Sequence, residues 1–525
     1  MLSAADFEQP YYNLRRQGTA TAPKVVPLIV IAWEARGINP PPPAMDLPAM
    51  KQMIFGEQGS IAHWFFENSQ GRYRIVPHPT TPIIGPFQSL NDDSFYRREG
   101  RYAPPSPEDP HYYRDDQGHA HYLDDQGFIN GFDHSYTEAI RLATAQEGIN
   151  FRIFDRDGDQ RLSQDEFLLL IAKRSSGTDG FYRGVSGSQV PSSPLIVDEV
   201  RFETVSEWYS SAPYENDDLA VAIEEVLHQA ANLADQYPDN NHRLDNDPRR
   251  PGNLALTDAG RRPVHIDPYH KLKWGWLNPQ VCNRSGRYTL RDAATTGDAL
   301  ILYSPYFGVD EFFILENRWR GSSYDRFREP ELQEGLALWH CIQAPELAHD
   351  WARLAIHLRR ADPRLDEHNR IKIPLTLFDG GDPPRSYDLH DESFPQNLRF
   401  RNDIPSRIRI RNISPAGPVM TVDIEVPPQR GSIVATRGII KMIRSHENGT
   451  GFGPPAHRLT EDCILTLDSE PGAVFGLNIS GANSFVGLKM FEQLRSAFQN
   501  RLPVTIEYEA TGALGGRIIR VINSR

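Results

Sequence analysis

Residues 25 to 33 read VVPLIVIAW, an apolar run too short for an ordinary helix and rich in β-branched side chains. Such a run fits a buried strand at the centre of a sheet, and FLLLIA at 167 to 172 has the same character. The prolines at 40 to 43 enforce an extended connection after the first of them. In the following segment Ser60 can cap a helix whose Ile61, Trp64 and Phe65 face inward. Gly71 ends that helix, and a strand resumes at Tyr73 to Val76. Further helices are expected at Ser135 to Gln146 and across Asp218 to Tyr237, DLAVAIEEVLHQAANLADQY. Strands and helices mixed in this way give an α+β fold.

At 525 residues the chain exceeds a single core, and ordinary domain sizes suggest roughly two to four units. With 39% hydrophobic and 24% charged residues it has a globular composition, and no apolar run of about 18 residues is present to span a bilayer. The net charge of −13, without a Lys/Arg-dense stripe, argues against nucleic acid and favours calcium or basic partners. Cys282, Cys341 and Cys463 are far apart and in no metal-ligand spacing, so reduced, structural thiols are expected. The first residues, MLSAADFEQPYYNLRRQG, carry charges where a signal peptide needs an apolar core. That pattern fits a cytoplasmic protein, or a secreted one whose leader has been trimmed.

The strongest local chemical pattern is INFRIFDRDGDQRLSQDEF. Asp155, Asp157, Asp159, Ser163 and Glu166 fall at positions 1, 3, 5, 9 and 12 of an EF-hand-like loop, with Arg161 supplying a backbone carbonyl at position 7. Hard oxygen ligands so crowded repel unless a cation neutralises them, and calcium is the natural candidate. Gln160 stands where the turn requires glycine, and FLLLIA follows as a strand instead of a helix, so a calcium loop on a different scaffold is expected. A second pattern lies in the 218 to 237 stretch. A zinc-peptidase helix sets two His at i and i+4 with a Glu base after the first, and here Glu224, Glu225 and His228 occupy those positions.

Several segments resemble the immune inhibitor A family of secreted bacterial metallopeptidases. GSIAHWFFENSQGRYRI is similar to the family's "GS…Y…ENSYG", and the calcium-type loop is similar to its "DxDxDG" segment. HIDPYHKLKWGWLNP resembles "KxxLGWL…P", while DEFFILENRW and GLALWHCI resemble the strands "EYFLLENRQ" and "GLLIWHxD". The family's HExxHxxGxxD would place a ligand at Glu224, the base at Glu225, a ligand at His228 and a turn glycine at Ala231. The third ligand falls at Ala234, or at Asp235 if one residue is inserted, and Thr257 stands where the methionine beneath the metal belongs.

The resemblance covers roughly 25 to 427 and implies a metzincin-like mixed sheet with the 218 to 237 helix beneath it. It divides the chain into a zincin-like unit at 1–280, with a long polar insertion at 90 to 133 and the calcium-type loop, and a β-rich unit at 281–428. Trp274, Trp276 and Leu277 are expected to pack beneath the helix, and His340 to be a satisfied core residue. Residues 432–525 read as a separate small α+β module whose helix lies between ILTLDSE and PVTIEYE. GTGFGPP at 449 to 455 lacks the Lys and helix of a phosphate loop.

The expected function is that of a catalytically degenerate peptidase that holds calcium and binds a peptide or protein partner. An atypical zinc endopeptidase using Glu224, His228 and Asp235 is the alternative, and an interaction or scaffold protein is the third reading.

Overall fold

The computed structural model describes residues 24–39, 44–93, 112–114, 120–122, 130–174, 195–203, 205–209, 216–231, 256, 263–282, 284–303, 311–324, 334–342, 356–359, 361, 377–381, 386–393, 397–427, 431, 433–447, 459–480, 484–512 and 515–522. These residues form a strand-rich, mixed α+β protein with seven described helices. No described helix is long and apolar enough to cross a membrane.

The first sheet is built on β1 (Lys24–Arg36). β2 (Tyr73–Pro77) and β3 (Ile84–Asp92) pair with successive halves of one edge of β1. β4 (Leu168–Arg174) pairs with the other edge, and β5 (Ser206–Tyr209) lies outside β4. All of these pairings are parallel, which corrects the expectation of a mixed sheet. The reason lies in the two apolar runs. Val26, Leu28, Val30 and Ala32 enter one core while Ile29, Ile31, Trp33 and Ala35 enter the core on the opposite face. Leu168, Leu170 and Ala172 divide from Leu169 and Ile171 in the same way. A strand covered on both faces has no solvent side on which to alternate, and this is the signature of parallel sheets.

Helices α1 (Leu47–Phe55), α2 (Ile61–Asn68) and α4 (Asn216–Ala231) supply one covering layer, and α3 (Asn130–Glu147) supplies the other. Ser60 caps α2 by accepting from the His63 amide at 3.0 Å, and the left-handed pair Gln70 and Gly71 ends the turn. Trp276 is buried in the core that contains Val226 and Leu227 of α4, with Trp274 packed against it, whereas Leu277 belongs to the core of the next unit. Of the 90 to 133 stretch, the described parts are the end of β3, the start of α3 and a hairpin pairing Tyr112–Arg114 with Ala120–Tyr122.

The second region has a five-stranded sheet whose Glu311–Arg318 and Gly335–Ile342 strands are antiparallel and fully buried. It packs over a four-stranded sheet in which Arg409–Arg411 and Val419–Glu425 form an antiparallel pair. Cys282, Cys341 and Cys463 are all buried and unbridged, as their spacing led us to expect.

The last region is a closed barrel of Ile433–Ser445, Cys463–Leu467, Val474–Leu477, Gly515–Ile522 and Pro503–Gly512, in that spatial order. Its helix, Ser484–Gln499, falls between the third and fourth strands in sequence, and the third and fifth strands pair in parallel. This is the arrangement of an OB-type barrel. The barrel is not detached. Arg407 Nη2 donates to Pro471 O at 3.2 Å, and a cavity of about 730 Å³ is walled by Arg287, Arg411 and Asp423 on one side and Val434, Glu470 and Tyr508 on the other.

Candidate functional site

Helix α4 is sewn onto the sheet by polar as well as apolar contacts. Ser206 Oγ donates to Glu225 O at 2.9 Å, and Gln229 Oε1 accepts from Leu169 N at 3.0 Å. Leu219, Ala222, Ile223, Val226 and Leu227 fill the core beneath. Glu225 and His228 are buried and Glu224 is half-buried, so an i,i+4 pair of ligand type does lie within the protein's interior face. Asp235, Ala234 and Thr257 lie outside the described residues. Zinc therefore has two described donors on this helix, one of them a carboxylate where the motif needs an imidazole. Among the described residues that set supplies two of the three ligands of a zinc site. Replacing an imidazole by a carboxylate also adds negative charge to a metal and makes its water less acidic, which is the wrong direction for hydrolysis.

The acidic loop is better assembled. Among the described residues, the one group of three or more ligand-type side chains close enough to share an ion is Asp155, Asp157 and Asp159, with oxygens within 4.8 Å of one another. The 3₁₀ turn Phe151–Phe154 leads in, and the short strand Arg161–Leu162 leads out by pairing with Val200–Phe202. Asp155 accepts from the Gly158 and Gln160 amides at 2.8 and 3.1 Å, and Asp159 accepts from the Arg161 amide at 2.8 Å. Gln160 has φ of 64°, so a side chain sits in the left-handed conformation that glycine adopts without strain.

Glu166 and Ser163, the last two members of the expected ligand set, are hydrogen-bonded to each other. Glu166 Oε1 accepts from the Arg156 amide at 2.7 Å, and Oε2 accepts from the Ser163 amide and hydroxyl at 3.1 and 2.9 Å. Burial alone would raise the pKa of Glu166, but these donors outweigh it and hold the carboxyl below its usual range. In this conformation Glu166 braces the loop and stands outside the aspartate group.

Reading the sequence missed a buried polar network. Glu67 of α2 accepts from His265 Nε2 at 2.7 Å, from Ser322 Oγ at 2.6 Å and from the Ser323 amide at 3.1 Å. On the other side of the ring, Lys271 Nζ lies 2.9 Å from His265 Nδ1. Ser322 Oγ is also 2.9 Å from His265 Nε2, which looks superficially like a nucleophile and its base. The protons exclude that role. An ammonium can only donate, so Nδ1 accepts and the ring proton sits on Nε2, leaving no lone pair there to take a proton from serine. Burial and the Lys271 charge push the His265 pKa down and keep the ring neutral. Burial pulls Lys271 down to about 8, which leaves it charged at neutral pH.

His340 repeats the arrangement. Arg359 Nη2 faces its Nδ1 at 2.9 Å, and Glu311 Oε1 lies 2.6 Å from its Nε2. It is the satisfied core histidine that its apolar strand implied.

No protein-family model matches this chain, and no curated protein matches it either.

Proposed function

We propose that the chain is a peptidase-like protein of the immune inhibitor A type in which zinc chemistry has been lost, and which retains a calcium loop and binds a peptide or protein partner. The observation that carries this reading is the donor set on α4: a carboxylate, Glu224, one turn before His228, on a helix buried against the parallel sheet. Purified protein should carry no stoichiometric zinc and should leave unfolded casein uncut, with Glu225→Gln indistinguishable from the parent. About one zinc per chain, together with cleavage that Glu225→Gln or His228→Ala abolishes, would make Glu224 a metal ligand and overturn the proposal.

The calcium part is supported by the close grouping of Asp155, Asp157 and Asp159. An ion there would be held by these carboxylates and would cancel their mutual repulsion. Calcium at about a hundred times its Kd should add about 2.7 kcal/mol of stability, seen as a rise in Tm over protein in chelator. Asp157→Ala should remove the response, and overlapping melting curves for the parent in calcium and chelator would sink the assignment.

A further inference from the structure

Thirteen large apolar side chains are exposed among the described residues, and five of them fall in one short piece of the barrel: Phe485, Val486, Leu488, Phe498 and Leu502. Exposed hydrophobics scattered singly need no explanation, but a cluster on the helix Ser484–Gln499 and the turn after it does. The helix meets the barrel core through Leu494 and Ala497, with Met490 and Phe491 at the rim of that contact. Away from the core, Phe485, Leu488, Glu492, Arg495 and Gln499 are all exposed, Phe485 at 73% and Leu488 at 46%. Their separations of three, four, three and four residues define one seam along a helix, the a and d positions of a helix that pairs with another.

The charges in the middle of the seam are not balanced within one molecule. Glu492 accepts from the exposed Lys489 on its own helix at 3.0 Å, and Arg495 has no carboxylate partner among the described residues. A second copy of the chain supplies the missing partner in one orientation only. In a parallel pair each seam residue meets its own counterpart, which sets glutamate against glutamate and arginine against arginine. In an antiparallel pair about a two-fold axis level with residues 493 and 494, Glu492 faces the partner's Arg495 and Arg495 faces the partner's Glu492. The same axis brings Leu488 to the Phe498–Gln499 end of the partner helix and Phe485 to the turn that carries Leu502. The seam is thus apolar towards its ends, charged at its centre and complementary to itself.

We propose that this face is a two-fold dimer interface, at which the helix Ser484–Gln499 packs antiparallel against the same helix of a second copy of the chain. Apolar contact at both ends supplies the attraction, and the crossed Glu492–Arg495 pairs fix orientation and register. A helix of 16 residues is about 24 Å long, and one pair of that length is a small interface, so a Kd of about 10 to 100 µM is expected. The interface uses neither the acidic loop nor helix α4, so it stands apart from the function proposed above.

Sedimentation equilibrium of the full chain over about 1 to 200 µM tests it, in about 0.15 M salt so that repulsion between two chains of net charge −13 is screened. The parent should rise from the mass of one chain towards that of two. Leu488→Glu puts a carboxylate into the apolar contact and should weaken association by at least about tenfold. Glu492→Arg alone sets arginine against arginine across the axis, and Arg495→Glu alone sets glutamate against glutamate, so each should self-associate at least about fivefold more weakly. Mixed one to one, the two variants regain both attractive pairs and should associate within about threefold of the parent Kd. All three positions are exposed, so each variant alone should match the parent in circular dichroism and melting. A parent that remains a single chain to about 200 µM, a Leu488→Glu protein that dimerises as well as the parent, or charge variants that associate no better together than apart would overturn the proposal.

Discussion

Glu67→Ala is expected to lower the unfolding free energy by about 3 kcal/mol, the scale of breaking a buried, hydrogen-bonded charged group away from its partners. The carboxylate joins three pieces of chain. It belongs to α2, it receives His265 from the extended segment before helix Pro268–Lys273, and it receives Ser322 and the Ser323 amide from the loop after the Glu311–Arg318 strand. Truncation takes the acceptor from His265 and Ser322, which are buried, while Glu67 itself is 15% exposed. Glu67→Gln keeps one acceptor oxygen and should lose about 1 kcal/mol. Urea unfolding read by far-UV circular dichroism measures both. A Glu67→Ala protein within about 0.5 kcal/mol of the parent would show that the network is incidental to the fold.

Neighbouring Asn68 makes a similar tie at one position's remove. Its Oδ1 accepts from Ile266 N at 3.1 Å, and its Nδ2 donates back to Trp64 O at 3.0 Å. Thus the Glu-Asn pair that follows WFF is a clamp between the parallel sheet's helical layer and the next unit. This also accounts for why a polar dipeptide ends an otherwise inward-facing helix. The segment was conspicuous in the sequence, but its purpose was not: Glu67 and His265 lie 198 positions apart, and Glu67 and Ser322 lie 255 apart. No periodicity or spacing rule reaches over such distances.

What could be read locally was read well. The cap at Ser60, the left-handed turn before β2 and the buried strands at 25 to 33 and 167 to 172 each depend on a few adjacent side chains. Gln160 illustrates the same point in reverse. The loop spacing requires a positive φ there whatever the residue, and the backbone takes φ of 64° despite the side chain.

Features that need strand partners were less legible. The first sheet was expected to be mixed, although runs buried on both faces already favour a parallel one. The barrel was read as a small α+β module because its closure depends on two pairings that close it in space. Ile433–Ser445 meets Pro503–Gly512, and Val474–Leu477 meets Gly515–Ile522. In the candidate site Glu224, Glu225 and His228 share one described helix, and the Glu166 carboxylate accepts from the Arg156 and Ser163 amides of its own loop, bonds that a ligand-spacing rule does not describe.

Stability should fall as the pH drops below about 6.5, and His265 supplies the clearest reason. Its imidazole pKa is lowered in the folded protein by burial and by the charge of Lys271, with Glu67 opposing and Arg318 adding to the lowering. The unfolded chain binds a proton at this residue below pH 6.5 and the folded protein does not, so unfolding takes up that proton and acid favours the unfolded state. One such histidine costs about 1.4 kcal/mol for each pH unit below 6.5, or about 2 kcal/mol by pH 5. His340, lowered by burial and by Arg359 and Arg401 against the pull of Glu311, acts in the same direction. Glu67, whose donors hold its pKa below the usual carboxylate range, adds a further loss as the pH falls below about 4.5. His265→Gln retains an amide donor towards Glu67 but has nothing to protonate. Its urea midpoint should therefore fall less steeply between pH 7 and 5, by about one proton's worth of linkage. Parallel stability profiles for the parent and His265→Gln would mean that the ring is charged in the folded protein, which is incompatible with the Lys271 ammonium at its Nδ1.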